Sequence, residues 1–453
     1  MDETIAGILQ EFSLDLYRPI VARELDLGPV SAPRAGNLVT VITGMRRSGK
    51  SYRLFQQMDE LLASGVCADR ICYFNFEDTR LGRVTPETGD AVLETFLYMH
   101  PDVDRTQGLY LFFDELQEME GWGSWLRRIV DTWRATIYVT GSSSKMLSSE
   151  IATEFRGRAL DFELHPYSFR EIVRQNDELA PLMDAPALSA AHRAQLQGAF
   201  REYLSAGGFP AAKGLPLPQR NALLQGYVQR VVSRDVVERL GIARPQVAST
   251  CARRLLALNG RQLSVRKMEN DLRSAGLASG RGYLAELIEA LESAFLVFRV
   301  RELSRSLSQN TTACPKVYAI DPGLALANSP AFANDAGQRL EDAVYLELRR
   351  RLPGMRLGGV SSLRTRAHGL EVDFAIADPA LGSVSSLVQV TESMADARTA
   401  RRELRALWEA MDETGLREAL VLVGDDASAV YEQDGMRIVQ KPVWQWMLET
   451  LPT

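Results

Sequence analysis

The chain has 453 residues, of which 46% are hydrophobic and 24% charged, and its formal net charge is -6. This length exceeds one ordinary hydrophobic core, so we expect about two to four domains. The composition is that of a soluble globular protein. The negative charge argues against a uniformly basic surface for nucleic acid, although it allows a local basic face.

The cysteines and the first residues bear on the setting of the protein. Four cysteines without a C-x-x-C pair, beside only four histidines, argue against a zinc site and fit a reducing compartment. The opening sequence, MDETIAGILQEF, is acidic and polar and does not form a signal peptide. No apolar run approaches the roughly 18 residues that span a bilayer. We therefore expect a cytoplasmic protein with no membrane partner.

The first third of the chain predicts an α/β domain. Residues 1–36 predict a helix and a linker that contains Pro and Gly. Residues 37–167 then alternate between apolar runs and helical stretches. The apolar runs that predict strands are 38–42, 70–78, 108–116 and 135–143. Such alternation favours a parallel sheet with helices on both faces.

The remainder of the chain changes character twice. Residues 168–250 are predicted to be helical, as in AHRAQLQGAFREYLSAGGFP. Residues 251–310 predict short helices followed by a strand, AFLVFRVREL. From residue 311 to residue 453 strands and helices alternate again, so we expect a second α/β domain there.

The segment GMRRSGKS satisfies the pattern G-x-x-x-x-G-K-[ST] between a predicted strand and a predicted helix. Its glycines let backbone N–H groups surround phosphates, and the helix N-terminus adds a favourable dipole. Lys50 is expected to reach the β- and γ-phosphates of ATP, and Ser51 is expected to bind Mg²⁺. The residues predicted to bind the nucleotide are Gly44, Met45, Arg46, Arg47, Ser48, Gly49, Lys50 and Ser51.

A second motif, LYLFFDE at 109–115, is an apolar strand that ends in two acids. Asp114 is expected to hold Mg²⁺ with its water shell, and Glu115 is expected to polarise the attacking water as general base. An apolar run followed by Asp-Glu is often no more than a solvated strand end. Its position downstream of a phosphate loop favours the functional interpretation, and the carboxylate pair favours hydrolysis over nucleotide storage.

Several polar residues are candidates to complete this site. The run YVTGSSS ends the next strand, and Thr140 or Ser142 is predicted to sense the γ-phosphate unless the run is only a polar turn. Asn75 either restrains Glu115 or caps its own strand. Arg156 and Arg158 are candidate arginine fingers for a neighbouring subunit, against the alternative of ordinary surface arginines.

These motifs, together with YFNFED, VTGSSSKMLSSEIATEFRGR and ELHPYSFREIV, resemble the prokaryotic AAA+-type ATPases that carry a C-terminal domain of unknown function. Later blocks agree, among them YLSAGGFP, KVYAIDPGL and EVDFAI, so that the resemblance spans about residues 38–410. It implies an ATPase domain over 37–167, a helical lid over 168–250 and a winged-helix-like region over 251–310. For 311–453 it implies a fold similar to restriction-type nucleases.

The winged-helix-like region is a candidate DNA reader. Residues 253–309 carry ten Arg or Lys against six Asp or Glu in an otherwise acidic chain. The N-terminal end of a recognition helix is where base or backbone contacts are made. The alternative is that this region packs on the ATPase domain as a lid or subunit contact. The residues predicted to contact DNA are Arg266, Lys267, Ser279, Arg281 and Tyr283.

The C-terminal region matches a restriction-type nuclease motif only in part. Glu341 and Asp373 fit the first two acidic positions of that motif, but the third acid and the lysine are replaced by Gln389 and Thr391. Glutamine is a weak metal ligand and threonine carries no positive charge. Glu371 and Glu392 could restore metal binding, yet the lysine is missing. We therefore expect a degenerate site without nuclease activity.

Taken together, the motifs predict an AAA+-type ATP hydrolase that uses ATP and Mg²⁺ in a homo-oligomer, in the form of a ring, and couples hydrolysis to DNA binding or remodelling. A nucleotide-dependent switch, held off by ADP and acting on a protein partner, is the alternative. An ATP-controlled nuclease is the third hypothesis.

Overall fold

The computed structural model describes residues 2–103, 106–142, 158–185, 187–238, 241, 244–277, 279–303, 314–329, 335–352, 359–378 and 383–450. The chain divides into two compact units. The first unit comprises Met1–His165 with Ser293–Phe295, and the second comprises Pro166–Glu292 with Leu296–Thr453. Within the described residues, no helix has both the length and the apolar character to cross a membrane.

The first unit is built around one parallel sheet. Its helices and strands in chain order are α1 (Glu3–Glu11), β1 (Val39–Thr43), α2 (Lys50–Ala63), β2 (Ile71–Asn75), α3 (Pro86–Met99), β3 (Leu109–Asp114), α4 (Trp122–Thr132), β4 (Ala135–Gly141) and β5 (Ala159–Glu163). The strand order is β2-β3-β4-β1-β5 and every neighbouring pair is parallel. All five carboxyl ends therefore meet at one edge of the sheet. The predicted parallel α/β fold is confirmed.

Burial explains why four of these strands were visible in the sequence and one was not. The central strands β1, β3 and β4 are buried along their whole length, which requires continuous apolar runs. Strand β5 reads ALDFE, is only half-buried and pairs with β1 alone, so its sequence carries no such run. The N-terminal segment, predicted as a helix and a linker, contributes Leu14 and Leu27 to the core around Phe55.

The second unit contains two further sheets. Its helices are α5 (Phe169–Arg174), α6 (Ala190–Ala206), α7 (Leu217–Arg230), α8 (Pro245–Ala257), α9 (Val265–Ser274), α10 (Arg281–Ser293), α11 (Pro322–Asn328), α12 (Ala336–Arg351), α13 (Ala397–Thr414) and α14 (Val443–Leu448). Its strands are β6 (Arg261–Gln262), β7 (Val297–Val300), β8 (Lys316–Ala319), β9 (Val360–Arg364), β10 (Glu371–Asp378), β11 (Ser383–Thr391), β12 (Glu418–Val423), β13 (Ala429–Gln433) and β14 (Met436–Pro442).

The smaller sheet of the second unit has three strands in the order β6-β8-β7, with antiparallel pairing throughout. The elements that surround it follow the order α8, β6, α9, α10, β7, β8 along the chain. Helices α9 and α10 thus lie between the first strand and the hairpin-like pair β7 and β8.

The larger sheet has six strands in the order β13-β14-β12-β11-β10-β9. Strands β11, β12 and β14 are parallel, whereas β9, β10 and β13 pair antiparallel with their neighbours. Helix α13 covers one face and buries Ala406, Leu407, Ala410 and Met411 in a core shared with the strands. The predicted C-terminal α/β domain is confirmed.

Two segments of backbone touch directly where α6 ends and α11 begins. A Cβ atom added to Gly207, whose φ is +75°, would lie 2.0 Å from a carboxylate oxygen of Asp321. A Cβ atom added to Gly323 would lie 2.3 Å from the backbone of Ala206. The carboxylate of Asp321 accepts hydrogen bonds from the backbone N–H groups of Gly208 at 2.6 Å and Leu324 at 2.8 Å. We call this contact the glycine seam.

Candidate nucleotide site

The phosphate loop joins β1 to α2 at the carboxyl edge of the parallel sheet. Gly44 has a φ of +154°, and a Cβ atom there would lie 2.2 Å from the carbonyl oxygen of Leu164. Gly49 has a φ of +102° and precedes the first residue of α2. Arg47 also adopts a positive φ, of 71°. Both glycines are therefore required by the backbone itself, in agreement with the predicted loop.

Lys50 lies at the first position of α2 and is buried. Its ammonium group donates to the carbonyl oxygen of Gly44 at 3.2 Å and forms an ion pair with Glu115 at 3.2 Å. The structure thus brings the two residues predicted to act on the phosphate and on the water to one place. Because an ammonium group has three donors, Lys50 keeps one for an anion.

Asp114 ends β3 and is almost fully buried. One carboxylate oxygen accepts a hydrogen bond from the hydroxyl group of Thr140, and the other accepts one from Tyr73 at 2.9 Å. Ser51 lies beside this carboxylate and acts to lower its pKa. Burial and the neighbouring charge of Glu115 raise the pKa of Asp114. A hydroxyl and a carboxylate in contact are the oxygen ligands that suit Mg²⁺ beside phosphates, so the residues present fit the predicted ion.

Glu115 follows β3 in the left-handed region, with a φ of +51°, and is buried. Its carboxylate accepts a hydrogen bond from the side-chain amide of Gln117 at 2.6 Å. Burial acts to raise the pKa of Glu115, but Lys50, Gln117 and Arg46 outweigh it and lower the pKa. The group is therefore an ionised carboxylate at neutral pH, which is the form that a general base needs.

The two sensor candidates occupy different places around these acids. Thr140 contacts both of them, because its hydroxyl donates to Asp114 and accepts from the backbone N–H group of Glu115 at 2.9 Å. Ser142 is reached through Gln117, whose amide lies 3.3 Å from the Ser142 hydroxyl. Thr140 thus holds the catalytic pair in position. Ser142, by contrast, makes no described hydrogen bond to either acid.

Arg46 extends from the phosphate loop to two carboxylates. Its guanidinium group pairs with Glu77 at 2.5 Å and with Glu118 at 3.3 Å. Asn75 accepts a hydrogen bond from the backbone N–H group of Glu77 at 2.9 Å, so it caps the turn after β2. Of the two roles predicted for Asn75, this contact matches the cap.

Of the arginine-finger candidates, Arg156 lies outside the described residues. Arg158 is exposed and forms an ion pair with Asp131 of the same unit. A finger role would require this surface pair to open, which costs little because exposed pairs contribute about 0–1 kcal/mol. The finger stays a prediction.

Three residues at this site were not predicted from the sequence. Gln117 orients Glu115, and Tyr73 holds Asp114 from the neighbouring strand β2. Arg23 is buried in the N-terminal segment and donates to the carbonyl oxygens of Ser48 at 2.9 Å and His165 at 2.7 Å. The amide two residues after the acid pair was a signal for Gln117; no pattern marked Arg23.

A second cluster of acids lies in the second unit, where the degenerate nuclease site was predicted. Glu341 and Asp373 do come together, and Lys316 of β8 lies between them. The ammonium group of Lys316 is 3.0 Å from Glu341, 3.1 Å from Asp373 and 2.7 Å from Glu371. We call these four residues the Lys316 cluster. A lysine is therefore present, but it comes from a different strand than the motif prescribes.

Burial and the neighbouring charges together shift the pKa values of the residues in the Lys316 cluster. Burial acts to lower the pKa of Lys316, but Asp373, Glu341 and Glu371 outweigh it and raise the pKa. Burial and the charge of Asp373 raise the pKa of Glu341 to about 7. Among the described residues, no group of three or more His, Cys, Asp or Glu side chains is arranged to hold a metal ion.

The remaining residues of the nuclease motif serve other contacts. The amide oxygen of Gln389 accepts from the backbone N–H group of Asp373 at 3.2 Å, and its nitrogen donates to Glu403 at 2.8 Å. Thr391 ends β11 and pairs with Val423 of β12. Glu392 is exposed.

The five DNA-contact candidates fall into two groups. Arg266 and Lys267 are exposed near the N-terminal end of α9. Arg281 forms an ion pair with Glu269 at 2.8 Å. The hydroxyl groups of Ser279 and Tyr283 are buried and have no hydrogen-bond partner among the described residues. The exposed pair on α9 is thus better placed for an external ligand than the three residues around α10.

Comparison with known families locates two domains in the chain. Residues 36–173 match the family model described as an AAA domain. Residues 197–335 match a model described as a domain of unknown function (DUF8612). The five-stranded parallel sheet, the phosphate loop between β1 and α2 and the AAA-domain match define the first unit as a P-loop ATPase domain of the AAA type.

Similar proteins of similar length are known. The chain is 29% identical to an uncharacterised protein of Methanocaldococcus jannaschii over 97% of this chain and 94% of that one. It is 26% identical to an uncharacterised protein of Haemophilus influenzae over 77% of this chain and 83% of that one.

Solved structures with some likeness include a Walker-type ATPase of Pyrococcus abyssi, with a TM-score of 0.44 and 14% identity over 72% of this chain and 95% of that chain. The ORC1 protein of Aeropyrum pernix, solved in complex with DNA, has a TM-score of 0.28 and 16% identity over 66% of this chain and 87% of that chain. The assignment of the first unit rests on its own sheet order and on the AAA-domain match.

Proposed function

We propose that the first unit binds and hydrolyses ATP with Glu115 as the general base. The observation that carries this proposal is the convergence of Lys50, Glu115 and Asp114 at the carboxyl edge of the parallel sheet, with Glu115 ionised and oriented by Gln117. Glu115 accepts a proton as the water oxygen bonds to the γ-phosphorus. The bond to the bridging oxygen breaks, and ADP leaves.

The other groups of the site stabilise charge and position. Lys50 balances negative charge on the β- and γ-phosphates, and the glycine-rich backbone donates N–H groups to them. Ser51 and Asp114 would hold Mg²⁺, which supplies further charge neutralisation at the phosphates. Thr140 fixes the direction of both acids, because it bonds to the carboxylate of one and to the backbone of the other.

Steady-state ATP hydrolysis of Glu115→Gln tests the proposal. We expect the variant to bind ATP but to hydrolyse it about 10²–10⁴-fold more slowly, which is the effect of losing a general base. Glu120→Gln is the matched control, because Glu120 is an exposed acid that pairs with Arg83 and, like Glu115, lies between β3 and α4. Lys50→Ala should weaken nucleotide binding itself. Hydrolysis by Glu115→Gln at the wild-type rate would refute the assignment.

We further propose that the active form is a homo-oligomer, in the form of a ring, in which Arg156 or Arg158 acts on ATP bound by the neighbouring subunit. Closed rings are the usual symmetric solution for such heterologous contacts. An arginine that acts in trans should fail only in the assembled protein. Mixing Arg158→Ala subunits with Lys50→Ala subunits should therefore restore part of the turnover, and the same mixture made with Arg156→Ala distinguishes the two candidates.

The proposed use of hydrolysis is DNA binding or remodelling. The order α8, β6, α9, α10, β7, β8 with the sheet β6-β8-β7 resembles that of a winged-helix unit, and this resemblance supports the proposed coupling to DNA. Hydrolysis should be measured with duplex, single-stranded and branched DNA at two salt concentrations. Salt-sensitive stimulation that is lost in an Arg266→Ala and Lys267→Ala double variant would support DNA coupling.

Other outcomes of the same measurement favour other functions. Steady turnover that no DNA changes would point to a protein partner. Almost no turnover, with ADP retained through purification, would favour a nucleotide-dependent switch.

The Lys316 cluster supports a second unit without nuclease activity. The predicted motif positions of a restriction-type domain lie on α12, β10 and β11, within the element order α12, β9, β10, β11, α13, β12. All three donors of the Lys316 ammonium group face carboxylates, so none is left for a phosphodiester. Incubation of supercoiled DNA with Mg²⁺ or Mn²⁺ tests this, since cutting that disappears in Asp373→Ala would show an active nuclease.

A further inference from the structure

Helix α13 of the second unit carries its charges in two blocks. Its first nine residues, 397–405, hold four arginines and one glutamate, whereas residues 406–414 hold three acids and no basic residue. The buried face of the helix, which includes Leu407 and Met411, is apolar except for Glu403. The arginines of the first block are exposed, whereas Glu409 and Glu413 of the second block accept hydrogen bonds from backbone N–H groups of residues 366–368.

The four arginines lie at positions 398, 401, 402 and 405, which places them on one face of the helix. All four are exposed. Arg402 pairs with Glu403, whose carboxylate also accepts the amide of Gln389. Arg398, Arg401 and Arg405 have no carboxylate partner within the part of the chain that the structure describes. We call these three residues the arginine stripe.

One residue of the stripe, Arg398, lies in the first turn of α13, where the helix itself disfavours a cation. A helix N-terminus carries a partial positive charge, so cations there oppose the dipole, and acids near the C-terminus do the same. Helix α12 of the same unit shows the favourable arrangement, because Arg349, Arg350 and Arg351 lie in its last turn. The charge of Arg398 thus opposes the helix dipole, and a bound anion would offset that small cost.

We propose that the arginine stripe binds the phosphate backbone of a nucleic acid. Neighbouring side chains on one helix face are about 5–6 Å apart, so the stripe presents a row of charges to a linear polyanion. Guanidinium groups match phosphate oxygens two at a time. Because phosphates carry no sequence, the stripe binds without base preference. The inference rests on the proposed coupling to DNA, but it concerns a surface that the winged-helix region does not include.

The test is direct binding of a fluorescein-labelled duplex and of a single strand to the full-length protein, followed by fluorescence anisotropy over a range of salt. The variant replaces all three stripe arginines with glutamate. Its matched control, Arg201→Glu with Arg366→Glu and Arg417→Glu, makes the same change in net charge at three exposed arginines elsewhere in the unit. We expect the stripe variant to lose at least about tenfold in affinity, with a shallower salt dependence by about one unit of slope per lost phosphate contact.

Equal losses in the stripe variant and its control would overturn the proposal, because overall charge would then explain the effect. Displacement of DNA by polyglutamate of equal charge as readily as by unlabelled DNA would also overturn it, in favour of an acidic protein partner. A second variant, with glutamine in place of each stripe arginine, guards against misfolding. It should bind DNA less well without melting at a lower temperature, since it removes one charge, that of Arg398, that opposes the helix dipole.

Failure of this inference can be told apart from failure of the proposed function. The stripe belongs to the second unit and includes none of the residues assigned to the nucleotide site, so ATP hydrolysis without DNA should be unchanged in both stripe variants. Normal hydrolysis with wild-type DNA binding by both stripe variants would refute the stripe alone. Normal hydrolysis by Glu115→Gln would refute the proposed ATPase site whatever the binding data show.

Discussion

Lys50 and Lys316 are both buried lysines that face carboxylates, and they differ in how many partners surround them. Lys50 pairs with Glu115 and donates to one backbone carbonyl, whereas Lys316 lies within 3.1 Å of three carboxylates. Lys50 keeps an N–H donor for an incoming phosphate, whereas all three donors of Lys316 face carboxylates of the protein. A lysine beside acids therefore defines a reactive site only where a donor is left over.

The largest effect that separates the two lysines is on stability. Lys316→Met should lower the free energy of unfolding by about 3–5 kcal/mol, because the buried Asp373 and the two half-buried carboxylates lose their cation. Lys441→Met is the control, since Lys441 pairs with Glu449 at the surface and such pairs contribute about 0–1 kcal/mol. Urea unfolding measures both. Similar losses in the two variants would contradict the contrast between the two lysines.

The pH dependence of stability sharpens the contrast at the Lys316 cluster. The pKa of Glu341 is raised from 4.5 to about 7, so the folded protein binds this proton more tightly than the unfolded chain does. Its contribution is complete below about pH 4.5 and is lost as the pH rises towards 7. Relative to wild type, Glu341→Gln should gain up to about 3 kcal/mol over that range. A difference that stays flat with pH would contradict the prediction.

A smaller effect is expected where the N-terminal segment supports the phosphate loop. Arg23→Lys keeps the charge but loses the fork that reaches the carbonyls of both Ser48 and His165. Losing one hydrogen bond from a charged donor should raise the KM for ATP about tenfold, with kcat nearly unchanged. The matched control is Arg18→Lys, because Arg18 belongs to the same N-terminal segment as Arg23 and forms an exposed ion pair with Asp59. A fall in kcat alone would mean that Arg23 does not act through the loop.

The smallest effect is expected from Tyr73→Phe. The variant removes the hydrogen bond from Tyr73 to Asp114 and leaves the one from Thr140 in place. We expect about a threefold rise in the Mg²⁺ concentration that gives half-maximal hydrolysis, in line with one neutral hydrogen bond. Tyr110→Phe, on the next strand, is the control. An unchanged Mg²⁺ requirement would show that Tyr73 does not position Asp114.

Much of the nucleotide site could be predicted because its chemistry is local in sequence. Gly44, Gly49 and Lys50 lie within one loop, and Asp114 and Glu115 are adjacent at a strand end that an apolar run marks clearly. The parallel sheet then brings both segments to one edge. Tyr73 and Arg23 could not be predicted, because they reach the site through packing and not through a pattern of spacing.

The Lys316 cluster shows the opposite case. The motif predicts a lysine two residues after Gln389, on the strand beside Asp373, and Thr391 occupies that position. The lysine that is present belongs to β8, in the three-stranded sheet, whereas Asp373 belongs to the six-stranded sheet. The meeting of two sheets leaves no periodic trace in the sequence. A weak signal existed, since the chain has only six lysines and one of them begins the apolar strand KVYA.

The glycine seam has a consequence for how relatives of this chain can be recognised. The blocks YLSAGGFP and KVYAIDPGL contain Gly207, Gly208 and Gly323, where an added Cβ would strike backbone or the Asp321 carboxylate. These glycines are required because the neighbouring segments of the same chain leave no room for a side chain. They take no part in the chemistry of the nucleotide site or of the Lys316 cluster. A search by these blocks would gather proteins of the same architecture, whether or not they keep a competent phosphate loop or an engaged lysine. Shared ancestry would have to be inferred from these glycines, and shared activity from the residues of the nucleotide site and the Lys316 cluster.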